Sequence, residues 1–498
     1  MAEQQYILAI DQGTSSTKSL IFDNKGQSVA KGSEPLQTQY LDHGFVEQDP
    51  EEIYNNVLAS VRQCLQQFQS KGLPAEAIAG IGISNQRETF VLWDKTGKPL
   101  YNAVVWQCKR SVSVCDQLKE KGLAQTISEK TGLVIDPYFS GTKLMWLAQN
   151  NEQVKQAIQN GEAYFGTIDT WLLYKCTAGT VYATDYTNAS RTLLFNLYTL
   201  QWDTELIEAF GLTGIHLPEI KSSSAHFGFT NLDGLLPKPV RVAALIGDSH
   251  AAAFGEGCFE TGTAKATLGT GCSILMNIGS KPVASQNGMV TTVCWSAGNR
   301  VDYALEGVIV SCGATIEWLK NELQLFSNSK ETETMANAVP NNGGVYLVPA
   351  FSGLGSPHWQ MDRRAAIVGM SFGSTKNHIV RAALESIPYQ IKDVIVAMEK
   401  DAAIALQALN IDGGITGNAF VVQYLTDLVG KQVACIGMPD VSALGAAYLA
   451  GLDTGVYESI DALKQLNSEK KMYQPAADTA AVEQAYKGWL QTINNTTH

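Results

Sequence analysis

The feature that most constrains the fold lies at the start of the chain. An apolar run, Tyr6–Ile10, leads into a small polar turn, Asp11-Gln12-Gly13-Thr14-Ser15-Ser16-Thr17, and a second run, Lys18–Phe22, follows at once. Strand, turn and strand make a hairpin, which sets this segment apart from the strand-to-helix turns of a P-loop or a dinucleotide-binding fingerprint. The same pattern returns at 265–278, Lys-Ala-Thr-Leu-Gly-Thr-Gly-Cys-Ser-Ile-Leu-Met-Asn-Ile. Both turns carry glycine and threonine without bulk, so the echo predicts two similar domains facing one another. A third glycine-rich element, Ile411–Asn418, ends a strand and opens a helix over Ala419–Val429, so its backbone N–H groups point at whatever sits at the helix start.

Between these elements strands and helices alternate, which predicts an α/β architecture. Asp49 caps a helix with Pro50 in its first position and Ile53, Val57, Val61 and Leu65 on one face. Strands are expected at Ile78–Ile83, Thr89–Trp93 and Val242–Ile246, and a last helix over Ala480–Ile493. At 498 residues the chain has room for two or three domains of ~150 residues. The boundary is placed near 253, giving units 1–253 and 254–498.

Composition narrows the function. Charged residues are only 17% against 45% hydrophobic, and the net charge of −12 comes with no basic block. Nucleic acid and anionic membrane both need a dense cationic face, so neither is an expected partner. The first residues lack the basic flank and apolar core of a signal peptide, and no apolar run approaches the ~20 residues of a membrane span. Nine cysteines are scattered without a C-x-x-C pair, as expected of reduced thiols in a cytoplasmic protein.

Small turns that offer N–H and hydroxyl donors suit phosphate oxygens, though plain hairpins use the same residues. Asp11 ends an apolar strand beside the first turn. It either caps that turn or faces phosphates across a cation, most simply Mg²⁺. Asp248 ends the strand Val242–Ile246 ahead of a small-residue helix, where it is either the N-cap or a base facing the interdomain cleft. Arg87 and Glu88 fall where a strand gives way to a loop, Trp106 and Tyr138 are candidate ligand walls or core, and His250 lies beside Asp248.

Several contiguous stretches resemble the FGGY carbohydrate kinases, and within them the glycerol kinases: 9–16, 85–89, 104–108, 132–143, 184–192, 303–307 and 443–451. The resemblance runs from about 6 to 490 and implies two RNase H-like domains of the actin, hexokinase and Hsp70 type. It also implies phosphorylation of a small polyol by ATP with Mg²⁺, glycerol to sn-glycerol 3-phosphate being the first expectation. Thr14, Ser15 and Lys18 would approach the transferred phosphate from the first hairpin, and Gly269 and Thr270 from the second. Gly313, Glu317, Gly414 and Asn418 would hold the adenosine end, and Asp11 the metal. Arg87, Glu88, Tyr138 and Asp248 would bind polyol hydroxyls, Trp106 would cover the carbon chain, and Asp248 would accept the proton. A homo-oligomer is also expected.

The pocket departs from the glycerol kinase pattern. The usual Gly-Asp-Gln-Gln is Gly-Asp-Ser-His here, so Ser249 and His250 follow the base, and Ser273 stands where an aromatic usually follows Gly-Thr-Gly-Cys. A larger, more polar pocket makes erythritol, threitol, a pentitol or a ketopentose the alternative substrate. Segment 231–240 also lacks the glycine-arginine loop with which some bacterial glycerol kinases bind fructose 1,6-bisphosphate. A non-catalytic nucleotide-binding regulator would be expected to have lost Asp11, Thr14 or Asp248, and all three are present.

Overall fold

The computed structural model describes residues 4–437, 439–466, 470–476 and 478–495. Its frame is two sheets built on one plan. In the first, the strand Tyr6–Gln12 pairs antiparallel with Ser16–Phe22, which pairs antiparallel with Ser28–Pro35. On its other side Tyr6–Gln12 runs parallel to Ile78–Asn85, which runs parallel to Val240–Gly247. The second sheet repeats this order. Thr263–Leu268 pairs antiparallel with Cys272–Gly279, and that with Arg300–Ile309. On its other side lie the parallel strands Ala408–Asp412 and Val433–Ile436. The echo in the sequence is thus a repeat of topology, each hairpin being the centre of its sheet.

The apolar run at 6–10 is continuous because both faces of its strand are covered. Tyr6, Leu8 and Ile10 pack with Ile53, Val57, Val61 and Leu65 of the helix Pro50–Ser70, whose N-cap Asp49 accepts from the Glu51 N–H. Ile7 and Ala9 face the other way, onto Phe254 and the alanine-rich helix Val441–Thr454. That helix comes from the second half of the chain yet lies against the first sheet. Gly82 makes this approach possible, because a Cβ there would stand 2.3 Å from the Ala446 carbonyl oxygen. The helix shares its core with Leu275, Trp295 and Ala304 of the second sheet, so one apolar cluster joins the two halves.

A smaller sheet of five strands, among them Phe90–Trp93 and Ala103–Val104, is built onto the first half and carries the loops that follow Glu88 and precede Trp106. Among the described residues no helix is long and apolar enough to cross a membrane.

Candidate active site

Three parallel strands of the first sheet end together at Gln12, Asn85 and Gly247, with Asp11 in register with Ser84 and Asn85 with Gly247. The carboxyl ends of parallel strands are where open α/β sheets bind ligands, because the loops leaving them diverge over a crevice. Asp11, the Gln86–Glu88 loop and Asp248 all sit on this edge. Ser84 donates to Asp11 at 3.0 Å, and burial, with the Asp248 charge behind it, pushes the Asp11 carboxyl up to about 6. Asp248 is the first residue of the helix Asp248–Gly255, with Gly247 as N-cap. It therefore does not serve as the cap and stays half-buried, its Oδ1 accepting from the Ser249 N–H at 2.6 Å.

Glu88 adopts φ 61°, a left-handed conformation that a side chain rarely takes outside functional or strained sites. The turn sends Arg87 and Glu88 inward together, both nearly inaccessible, rather than leaving them as a solvated pair. There they join two residues for which the sequence offered no role. Arg87 meets Glu306 at 2.9 Å and Asp248 at 3.3 Å, while Arg191 meets Glu88 at 2.5 Å and Glu306 at 2.6 Å. Charges alternate along this chain, which is how buried ions offset their desolvation. Burial works against ionisation of Glu306, but Arg191 and Arg87 outweigh it and hold its carboxyl well below the usual range.

His250 lies fully buried behind this lattice instead of lining the open pocket. Its Nε2 is 3.4 Å from the Thr292 hydroxyl, and burial together with Arg87 keeps the ring neutral. Ser249 and Ser273 are half-buried, and Ser273 Oγ is 3.5 Å from Glu306 Oε1.

Trp106 and Tyr138 form one wall, their rings edge to face at 5.6 Å. The loop carrying Tyr138 is tied down by the buried Lys143, which donates to the carbonyls of Pro137 at 2.8 Å and Phe139 at 3.1 Å. Trp106 also reaches the phosphate turn, for its indole N–H donates to Thr14 Oγ1 at 2.9 Å. Three buried glutamines hold that turn from below. Gln86 donates to Gln48 at 2.9 Å and Gln12 at 3.2 Å, and Gln48 donates to the Thr14 carbonyl at 2.8 Å. Ser15 is exposed at the tip, and Lys18 extends to Asp440, 2.8 Å away, which also takes Lys31.

The second hairpin turn places Gly269 and Thr270 in the open. The Gly313 N–H donates to the Gly269 carbonyl at 2.9 Å, and a Cβ on Gly313 would stand 2.7 Å from that oxygen, so the helix Gly313–Asn321 starts against the turn. Gly413, at φ 97°, passes over Leu268, and a Cβ on Gly414 would meet nothing within 4 Å. Asn418 caps the helix Ala419–Val429 by accepting from the Val421 N–H and donates to Thr332 at 3.1 Å. Glu317 is exposed, with Lys320 and Ser329 both 3.3 Å away. Gly313 and Gly414 thus lie by the second hairpin turn and the glycine loop beside the second sheet, Asn418 caps the helix that follows, and Glu317 is exposed on the helix Gly313–Asn321. Of the residues expected at the polyol, Arg87, Glu88, Asp248 and Ser249 lie at the edge of the first sheet, Trp106 and Tyr138 form the aromatic wall, Ser273 stands on the second sheet, and His250 is buried.

Comparison with known proteins now decides the family. The sequence pattern of the FGGY family of carbohydrate kinases, N-terminal domain, matches residues 6–255, and that of its C-terminal domain matches 264–453. The chain belongs to the FGGY family of carbohydrate kinases. A glycerol kinase of Thermoanaerobacter sp. (strain X514) is 46% identical over 490 residues, 98% of each chain. Glycerol kinase 2 of Thermotoga maritima is 44% identical over 491 residues, again 98% of each. Among solved structures, Plasmodium falciparum glycerol kinase with ADP superposes with a TM-score of 0.94 at 36% identity, covering 99% of both chains. The FGGY kinases have the actin and hexokinase type of ATPase fold, which accounts for the two sheets of one plan. As a member, this chain is an ATP-using phosphotransferase.

Proposed function

We propose that this enzyme transfers the terminal phosphoryl group of ATP to glycerol, forming sn-glycerol 3-phosphate. The observation that carries the reading is the meeting, on one strand edge, of a hydroxyl-binding set with a phosphate turn, joined by the Trp106 to Thr14 hydrogen bond of 2.9 Å. Relatives named as glycerol kinases over nearly the whole chain supply the substrate. Arg87, Glu88 and Tyr138 orient the hydroxyls and Trp106 covers the carbons. The contacts of Asp248 fall on Oδ1, which leaves Oδ2 for the attacking hydroxyl. The substrate oxygen bonds to the γ-phosphorus, the bond to the bridging oxygen of ADP breaks, and the hydroxyl proton passes to Asp248. A carboxylate suffices as acceptor because phosphoryl transfer is loose and the alcohol acidifies only as the new bond forms. Ser15, Gly269 and Thr270 offer donors to the phosphates, and Gly313, Glu317, Gly414 and Asn418 border the adenosine.

Mg²⁺ belongs to the reading through Asp11. Two carboxylates, Asp11 and Asp248, lie close enough for one to raise the other's pKa, a donor set that a cation would relieve. Among the described residues no three His, Cys, Asp or Glu could cage an ion. That suits a Mg²⁺ bound by one or two carboxylates, water and phosphate. Bound there, the ion supplies neutralisation of phosphate charge; Asp11 holds it and Ser84 orients Asp11.

A four- or five-carbon polyol is the second reading. The small Ser273 beside the Arg87 and Glu306 pair favours it, because a hydroxyl there leaves volume and a polar partner for a longer substrate. A coupled ADP-release assay against glycerol, erythritol, threitol, xylitol and ketopentoses separates the two. Poor turnover of glycerol beside strong turnover of a longer polyol replaces the first reading with the second. Asp248→Asn is expected to lower kcat by about 1,000-fold or more with ADP affinity retained; an active variant removes Asp248 from the chemistry. The reading includes a cytoplasmic location, supported by nine free cysteines, eight of them buried. It also includes a homo-oligomer, supported by the exposed apolar side chains Trp359, Met361, Met370 and Phe372.

A further inference from the structure

We propose that Glu306 is a positioning residue for phosphoryl transfer, drawing Arg87 away from Asp248 so that one oxygen of the base stays open to the substrate. This rests on the reading of Asp248 as proton acceptor. Arg87 has three acidic neighbours, Glu306, Glu88 and Asp248, and of the two it pairs with directly the nearer is Glu306, with Nη2 at 2.9 Å from its Oε1 against 3.3 Å from Nε to Asp248 Oδ1. Glu306 is fixed in turn by Arg191 on Oε2 at 2.6 Å and by Ser273 Oγ at 3.5 Å from Oε1. All four charged members other than Asp248 are buried.

A buried guanidinium does not stay unpaired. With the Glu306 charge removed, Glu88 remains engaged with Arg191 at 2.5 Å, and Asp248, already 3.3 Å from Arg87, is the carboxylate onto which its guanidinium closes. Arginine binds carboxylates through two parallel N–H donors, so closing onto Asp248 occupies both of its oxygens. The base then has no oxygen free to take a substrate proton, and the polyol loses its place on Arg87. Glu306 stands on the strand Arg300–Ile309 of the second sheet, whereas Arg87, Glu88, Arg191 and Asp248 all come from the first half of the chain. The nucleotide-binding half therefore completes the polyol site.

The test compares wild type, Glu306→Gln and Glu306→Asp in the coupled ADP-release assay, using the polyol that wild type turns over best, with ADP titration calorimetry to certify folded protein. For Glu306→Gln the polyol KM is expected to rise about tenfold and kcat to fall about 100-fold, while the ATP KM and ADP affinity stay within about twofold. Glu306→Asp, which keeps the charge on a shorter arm, is expected to recover part of kcat. A merely structural role would lower the melting temperature and the active fraction and leave the polyol KM unmoved; that result overturns the proposal. Should Glu306→Gln fail to bind ADP, Arg191→Lys carries the test, since a single ammonium cannot span Glu88 and Glu306 as the guanidinium does, while the charge is kept. A raised polyol KM with unchanged ATP KM supports the proposal, and an unchanged polyol KM overturns it. A wild type that phosphorylates no polyol overturns both the proposed function and this role. An active wild type with unmoved variants overturns this role alone.

Discussion

Trp106 ties the aromatic wall to the first hairpin turn through one hydrogen bond. Its ring faces Tyr138 at 5.6 Å, on the side proposed for the polyol, and its N–H ends on the hydroxyl of Thr14 at 2.9 Å, on the side proposed for the phosphates. Trp106→Phe keeps a ring on the wall and deletes the donor, so Thr14 loses its orientation while the carbon chain keeps its cover. A net hydrogen bond is worth about 1 kcal/mol, which sets the expected loss in kcat/KM for ATP at about fivefold, with the polyol KM within about twofold. Steady-state kinetics in both substrates checks this, and a polyol KM that moves instead would assign the tryptophan to the carbon chain alone. This link was not legible in the sequence, because residues 14 and 106 meet through folding and leave no spacing pattern. Glu306 and Arg191 escaped for the same reason. They lie in stretches that resemble the family, 184–192 and 303–307, but an ion pair spanning 115 residues has no local signature. Asp11, Arg87, Glu88 and Asp248 were legible because each is a charge at the end of an apolar strand.

At the scale of elements, the helix that starts at Asp248 is set by how closely another helix crosses it. Gly445 of the helix Val441–Thr454 lies against Ala251, and a Cβ at Gly445 would stand 1.8 Å from the Ala251 carbonyl oxygen. Backbone cannot give way cheaply, so Gly445→Ala must push the Asp248–Gly255 helix outward. We expect a loss of about 3 kcal/mol, a melting temperature lower by about 3 °C, and a fall in kcat larger than the loss of folded protein, because Asp248 moves with its helix. Calorimetry together with active-site titration checks both parts; an unchanged kcat per folded molecule would mean that the crossing does not position the base. The helix after Asp248 could be read from the sequence whereas Val441–Thr454 was not, and the strands of both hairpins extend the expected runs by only a few residues. The crossing could not, since the small residues at 443–451 give an alanine-rich helix many partners, and only the fold selects Ala251 and the Gly82 strand.

The acidic whole molecule carries buried carboxyls whose pKa values are raised on folding, and these lower its stability as pH rises, against the opposite contribution of carboxyls such as Glu306 that arginines hold low. Burial, with Asp185 beside it, pushes Asp169 up to about 7, although the Thr184 hydroxyl donates to it at 2.7 Å. Glu256 is also raised, by burial and by Asp412, and both of its oxygens lack a hydrogen-bond partner. A carboxyl raised on folding binds a proton in the native state that it has already released in the unfolded chain. Its stabilising contribution is therefore present below about pH 4 and, for Asp169, is lost as pH rises to about 7. Self-repulsion from the net charge of −12 grows in the same direction, so the trend in wild type alone cannot separate the two causes. Asp169→Asn separates them, because the amide stays neutral, can still bond the hydroxyls of Thr167 and Thr184 that the carboxyl oxygens meet, and changes the surface charge not at all. The variant is expected to exceed wild type by about 1–2 kcal/mol at pH 5 and by about 4 kcal/mol at pH 8 in urea unfolding. Equal stabilities at pH 8 would assign the pH dependence to the surface field and leave Asp169 ionised in the fold.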